Sequence, residues 1–185
     1  VATGVSARFP TQIVGLRGYH TVMRFAVHDF AGLGTLTLLN DERSRLVYCQ
    51  FGDVAELLER FDAQPGVPVE FPAIKQLEEY LAGQRRNFDI PLALTYTTDF
   101  QRRVLTTLLA VPYGQTISYS ELASEVGDPR AARAVGTALH NNPICIIVPC
   151  HRVIKADGSL GGYAGREGLK RHLLDLERAH LDADN

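Results

Sequence analysis

Polar and apolar positions alternate with the two-residue period of strands early in the chain, and strand signals continue to residue 51. The alternation runs through Thr21 to Asp29, around Val22, Arg24 and Phe25, and strand signals continue in Gly34 to Leu39 and Leu46 to Phe51. Asn40-Asp41-Glu42-Arg43-Ser44 reads as the turn between the last two. The period then lengthens to that of a helix. Asp53 to Phe61 places Val54, Leu57, Leu58 and Phe61 on one face, with Asp53 as N-cap. A Pro/Gly segment from Pro65 to Pro72 interrupts it. A second helix runs through Ile74, Leu77, Tyr80 and Leu81 and stops at Gly83. Phe88 to Leu94 looks extended, and Val1 to Gly18 shows no clear period, as expected of a loosely held tail or partial strand.

Beyond a linker expected at Thr95 to Asp99, the pattern is mostly helical. Phe100, Val104, Leu105, Leu108 and Leu109 form an amphipathic face that Pro112-Tyr113-Gly114 terminates. Ser118-Tyr119-Ser120-Glu121 is a capping box, with Ser118 as N-cap and Glu121 reaching back to its N–H. That short helix ends near Gly127, and Asp128-Pro129 supplies an N-cap and a first-turn proline for the next. Two helices across so tight a turn describe a helix-turn-helix. The expected fold class is therefore α/β plus mostly α. Residues 1–96 form a small structural domain with an antiparallel sheet and helices. Residues 97–185 form a helical domain with a winged-helix-like helix-turn-helix.

At 185 residues with a formal net charge of −2, the chain can bury a real core but advertises no basic surface. From Asp99 to Asn185 there are ten basic and ten acidic residues. Any contact with nucleic acid must then rest on a few local groups and helix-end dipoles, which predicts weak ground-state binding. No apolar stretch approaches a membrane span and no secretory signal pattern is present, so a cytoplasmic protein with no membrane partner is expected. Three cysteines without regular spacing argue against a disulfide framework and fit a reducing compartment. His20, His28 and Cys49 fit no zinc spacing, and no metal is expected.

The chemistry concentrates at Ile147-Val148-Pro149-Cys150-His151-Arg152-Val153. Ile144 to Val148 is almost purely β-branched, bounded by Asn141-Asn142-Pro143, and reads as a short buried strand that Pro149 ends. Cys49 and Cys145 sit inside apolar runs and read as packed thiols. Cys150 follows a chain break and adjoins an imidazole and a guanidinium, the kind of neighbour that activates a thiol. The helix after Pro129 is nearly shaved of side chains, through Ala131, Ala132, Ala134, Gly136, Thr137 and Ala138, with Arg133 projecting from its middle. A helix reading bases in the major groove needs several long polar side chains. Small residues with one arginine suit minor-groove entry and a wedge, or else close helix–helix packing.

Val148 to Ile154, Asn142-Pro143, Gly161-Gly162-Tyr163, Pro112-Tyr113-Gly114, Ile117-Ser118-Tyr119 and Arg130 to Gly136 together resemble the O6-alkylguanine-DNA alkyltransferases. The resemblance runs from about Phe100 to Glu177. It implies DNA repair by transfer of an alkyl group from O6 of guanine, and of O4-alkylthymine, to the Cys150 sulfur. The reaction would be stoichiometric and self-inactivating, with no cofactor, on double-stranded DNA containing O6-alkylguanine. It implies a monomer, with cooperative binding along DNA left open. By the same resemblance Arg133 is the finger that fills the vacated base stack on a helix of Ala131, Ala132, Ala134 and Gly136. Tyr119 crowds the target's 3′ phosphate and donates a proton to the guanine ring. Cys150 is the nucleophile and His151 its base, through a water. Asn142 braces the turn carrying the thiol. Leu139, Val153, Tyr163, Ala164 and Gly165 join Tyr119 in the substrate pocket. Some family members carry Ser at the position of Ala164 and Met at that of Leu139. Leu169, Leu173 and Glu177 recur every four residues, so Glu177 should face inward, orient His151 and favour its protonated form. The competing readings are a non-catalytic alkyltransferase-like DNA sensor, which would lack the thiol, and a cysteine hydrolase.

Overall fold

The computed structural model describes residues 23–52, 63–65, 71–163 and 167–183. The expected tail over 1–18, the expected helix over 53–61, His20, Ala164 and Gly165 lie outside the described residues. Strands β1 (Arg24–Phe30), β2 (Gly34–Asn40) and β3 (Leu46–Phe51) form an antiparallel meander, and the short β4 (Gln64–Pro65) pairs in parallel with β1. The sheet order is β3-β2-β1-β4, and the β2–β3 register slips at Leu39/Asn40. The turn after that slip is shaped by Asp41, whose Oδ1 accepts from the N–H groups of Arg43 and Arg45.

Helix α1 (Pro72–Leu81) lies against the sheet with Ala73, Ile74, Leu77 and Tyr80 buried, and the chain turns away at Gly83 with φ +74°. A pair of bonds between Leu46 and the Pro91–Ala93 stretch holds the following extended segment beside β3. Only one bridge forms there, at Leu92, because Pro91 has no N–H to continue a ladder. The expected linker is a turn leading straight into α2 (Asp99–Leu108), with Thr98 as the N-cap that accepts from Gln101 N–H. One apolar core then runs without a break from Leu36, Leu38 and Phe51 of the sheet through α1 and α2 to Leu122, Val135, Ile146 and Leu173. A small antiparallel-sheet half thus packs onto a helical half. Among the described residues no helix is long and apolar enough to cross a membrane.

In the second half β5 (Ile117–Ser118) leads directly into α3 (Tyr119–Glu125), and both arms of the predicted capping box form. Helix α4 (Ala132–His140) starts later than Asp128-Pro129 suggested. The Asp128 side chain instead accepts from Arg130 N–H and its carbonyl from Ala131 N–H, which closes a separate turn before the helix. A 3-10 turn (Cys150–Arg152) passes into β6 (Val153–Ile154), which pairs in parallel with β5 through Ile117↔Val153 and Ser118↔Ile154. This pairing sets the thiol segment beside the start of α3. Helix α5 (Glu167–Asp182) closes the fold.

Ile144 to Val148 is not a strand. After a single bridge between Ile144 and Cys49 the backbone coils, with Ile146 at φ +68°. The groups that a neighbouring strand would serve are taken by Asn142, whose Oδ1 accepts from Ile144 N–H and whose Nδ2 donates to Val148 O. A short β-branched run reports burial more reliably than extension, and all five side chains here are buried.

The capping box carries a stability prediction. Ser118→Ala should lower the unfolding free energy by about 1 kcal/mol, read as a lower urea midpoint with an unchanged slope. An unmoved midpoint would mean that the cap contributes nothing to the folded state.

Candidate active site

Two tight turns in succession present Cys150. Ile147 N–H donates to Cys145 O across Ile146, and Cys150 N–H donates to Val148 O across Pro149. Each bond spans three residues, and the first forces a β-branched residue to positive φ, a conformation that persists only where surrounding packing overdetermines it. The thiol emerges half-buried while Cys49 and Cys145 are buried, as expected of packed cysteines.

Asn142 does more than brace the turn. Its Nδ2, already bonded to Val148 O at 3.0 Å, lies 3.2 Å from Cys150 Sγ and donates to it. Burial pushes the Cys150 pKa up; the Asn142 bond, the nearby Tyr163 hydroxyl and the Lys170 charge act in the opposite sense without cancelling it. At rest Cys150 is a thiol.

His151 and Glu177 are both fully buried and meet at 2.9 Å between Nε2 and Oε1. Glu177 is therefore inward, as its spacing predicted, but it does not serve His151 alone. Arg152 Nη2 donates to Oε1 at 2.8 Å and Nε reaches both oxygens at 3.1 Å, while Nη1 donates to Val111 O. Tyr80 OH donates to Oε1 at 2.7 Å and Gly114 N–H to Oε2 at 2.8 Å. Gly114 must be glycine here. Its φ is +74°, and a Cβ would collide with the Leu181 side chain.

These donors decide the charges. Burial alone would raise the Glu177 pKa, but hydrogen bonds from His151 and Arg152 and their charges hold it down at about 2. Burial pushes the His151 pKa down, and Arg152 and Lys170 press it further, against the pull of Glu177. The expectation that the pair favours imidazolium is reversed, because a carboxylate shared with a guanidinium cannot offset the desolvation of a buried imidazole. With Nε2–H directed at Glu177, Nδ1 is the acceptor nitrogen, and it has no hydrogen-bond partner among the described residues.

Lys170 is fully buried on α5, one turn before Leu173. Its Nζ donates to Val153 O and lies 5.9 Å from the centre of the Tyr119 ring. Tyr119 opens α3 and is half-buried; burial and then the Cys150 charge raise its pKa, so it remains a protonated hydroxyl. A Cβ on Gly161 would collide with the Tyr119 hydroxyl, so the glycine leaves room for that ring. A Cβ on Gly136 of α4 would meet the same ring at ordinary contact distance.

Of the predicted site residues, Cys150, Asn142, Tyr119 and Tyr163 gather about the thiol, and His151 and Glu177 lie behind it. Leu139 and Val153 are buried in the main core. Arg133 and Ala134 are exposed on α4, whereas Ala131, Ala132 and Gly136 are half-buried. Sequence reasoning missed Tyr80, the carboxylate-binding roles of Arg152 and Gly114, and Lys170. Lys170 was legible, since positions 170, 173 and 177 share a helical face. His28, weighed as a metal ligand, is bonded to Glu78 at 3.0 Å.

Known proteins match the chain over both halves. The family described as 6-O-methylguanine DNA methyltransferase, DNA binding domain, matches residues 99–179. The ribonuclease-like domain of the same family matches residues 23–94. A methylated-DNA–protein-cysteine methyltransferase of Methanosarcina acetivorans is 42% identical over 156 residues, 84% of this chain and 98% of the relative. One from Mycobacterium bovis is 54% identical over 112 residues, 60% of this chain and 67% of the relative. The crystal structure of Mycobacterium tuberculosis O6-methylguanine methyltransferase superposes with a TM-score of 0.76 at 41% identity, covering 89% of this chain and 99% of that one. Mycobacterium tuberculosis OGT in complex with DNA gives 0.75 at 43% identity, covering 85% and 94%. Matched in both halves, and along nearly the whole of one relative, the chain belongs to the methylated-DNA–protein-cysteine methyltransferase family.

Proposed function

We propose that this protein repairs duplex DNA by taking the alkyl group of O6-alkylguanine, and of O4-alkylthymine, onto Cys150, once per molecule. The observation that carries this reading is a free, half-buried cysteine whose Sγ accepts from Asn142 beside a buried histidine locked to Glu177. A cysteine that must stay free for such a step suits the reducing cytoplasm.

The steps follow from the charges. A base within a duplex cannot reach the thiol, so the damaged nucleotide is rotated out, and Arg133 on the exposed face of α4 fills the gap. Neutral His151 accepts the thiol proton at Nδ1 through a water, because consecutive residues of a 3-10 turn point about a third of a turn apart. Asn142 and Lys170 then stabilise the sulfur anion. Sγ bonds to the alkyl carbon as the carbon–oxygen bond to guanine breaks. The departing base takes a proton from the Tyr119 hydroxyl, whose oxygen regains one from water, and His151 releases to water the proton it took from sulfur; the net change is one proton moved from sulfur to guanine. The resulting thioether has no good leaving group, and no residue described at the site can remove the alkyl.

The stoichiometry is directly measurable. Excess methylated duplex should add one methyl per chain, found on Cys150 by intact mass and peptide mapping, and Cys150→Ser should add none while still binding DNA. Sustained turnover, or methyl on Cys49 or Cys145, would overturn the assignment.

Arg133 separates extrusion from chemistry. Since unstacking a base costs a few kcal/mol, Arg133→Ala should slow repair of duplex DNA by on the order of tenfold to a hundredfold. Reaction with free O6-benzylguanine, which needs no extrusion, should suffer far less. Equal losses on both substrates would assign Arg133 to the fold.

The buried carboxylate predicts an acid profile. A depressed Glu177 pKa contributes stability above its unfolded value near 4.5 that is lost as pH falls toward about 2. A buried neutral His151 adds a loss in the same direction below its unfolded value of 6.5, where only the unfolded chain takes up the proton. Glu177→Gln should remove the lower component. It should also destabilise the protein at neutral pH by about 3–5 kcal/mol, because Arg152 is left buried without its counter-charge. Urea unfolding of both proteins between about pH 3 and pH 7 reads both effects; parallel profiles would contradict the acid component, and equal stability at neutral pH would contradict the loss of Arg152's counter-charge.

A further inference from the structure

Tyr80 belongs to the sheet half of the molecule, and its hydroxyl is spent inside the site of the other half. The ring fills the inward face of α1 with Ala73, Ile74 and Leu77, where phenylalanine would pack as well. It meets Tyr113 edge-on at 5.7 Å between centroids. Only the hydroxyl distinguishes it. That hydroxyl lies 2.7 Å from Glu177 Oε1 and 3.5 Å from His151 Nε2, so it stands beside the contact that orients the imidazole.

We propose that Tyr80 is a positioning residue for alkyl transfer: by donating to Glu177 Oε1 it fixes the carboxylate and drains its basicity, so that His151 stays neutral with Nδ1 available toward the thiol. This rests on the reading of Cys150 as acceptor and deepens it. A carboxylate oxygen has limited lone-pair capacity, and each donor it accepts weakens its pull on the others. Oε1 is shared by Tyr80, His151 and Arg152. Removing Tyr80's share strengthens the pull on Nε2–H and makes His151 easier to protonate.

Among the described residues, the other charged or titratable groups around the pair are Arg152 on the 3-10 turn, Lys170 on α5, Cys150, Tyr113, and Tyr163 beside the thiol. Tyr113 in turn contacts His180 on α5 and lies under Arg86. Arg152 and Lys170 oppose protonation of His151 and remain in place when the Tyr80 hydroxyl is removed. The burial that raises the Tyr80 pKa keeps its proton on oxygen, as a donor requires.

The test is the pH dependence of benzyl transfer from free O6-benzylguanine to Cys150, which needs no DNA. In Tyr80→Phe the acid limb should move to higher pH by roughly half to one unit, so that the rate falls several-fold more below the limb than above it. Site-specific 3-fluorotyrosine at position 80 keeps the hydroxyl and shape but donates more strongly, and should move the limb to lower pH. It also serves if Tyr80→Phe does not fold. A limb that stays in place in the folded variants, or a uniform loss at every pH, would overturn the proposal. If the wild-type protein transfers no benzyl to Cys150, the failure lies with the function. The His151 ring titration by NMR then reads the same upward and downward displacements, and their absence would overturn the role of Tyr80.

Discussion

The Glu177 carboxylate is ionised in the interior, and a buried charge is tolerated only where enough donors replace the water it has lost. Those donors come from separate stretches of chain: Tyr80 on α1, Gly114 in the loop after α2, and His151 with Arg152 on the 3-10 turn, all meeting a side chain of α5. None of these stretches is a neighbour of the others in sequence. Satisfying one carboxylate therefore fixes how the sheet half, the helical half and the last helix sit together. It also fixes the imidazole behind the thiol. Stability and the proposed reactivity draw on the same group, which is why its replacement is expected to damage both.

Around that anchor the thiol is carried by a turn where β-branched sequence suggested a strand. A strand end would have held Cys150 by ladder bonds, leaving its side chain one of two alternating directions. The turn instead spends one asparagine on both backbone ends of the segment and on Sγ. The positive φ of Ile146 is the strained part of this arrangement, held by its buried neighbours and by the bridge to Cys49. Bonding β6 to β5 then brings Tyr119 beside the sulfur, because each short strand abuts the element carrying one of the two groups.

Much of this was legible in the chain. Alternation located β1 and the strand signals after it β2 and β3, the capping box located α3, and four-residue spacing turned Glu177 inward. Two kinds of information were not. The first is pairing through space: Tyr80 looks like any apolar residue on an amphipathic face, because its hydroxyl acts across 97 positions of sequence. The second is charge state. Adjacency of His151 to a carboxylate partner suggested imidazolium, but its protonation depends on burial and on Arg152 taking a share of the same oxygens, and neither is a local property. The missed turn at Ile144 to Val148 has a similar cause, since β-branching marks the interior without saying in which direction the backbone runs there.

The charge states also bear on why such a thiol is not spent on the wrong electrophile. A cysteine activated in advance by an imidazolium would be largely thiolate at neutral pH and open to any small alkylating agent. Here burial holds Cys150 protonated while Asn142, Lys170 and a neutral His151 stand ready to accept the charge and the proton. On the proposed mechanism, the anion is populated mainly when a substrate fills the pocket, excludes water and strengthens each of those contacts. On that same mechanism, a protein that acts once gains more from this restraint than from speed. The balanced charge of its helical half is consistent with that proposal, in which discrimination rests on the base in the pocket and not on a broad positive field.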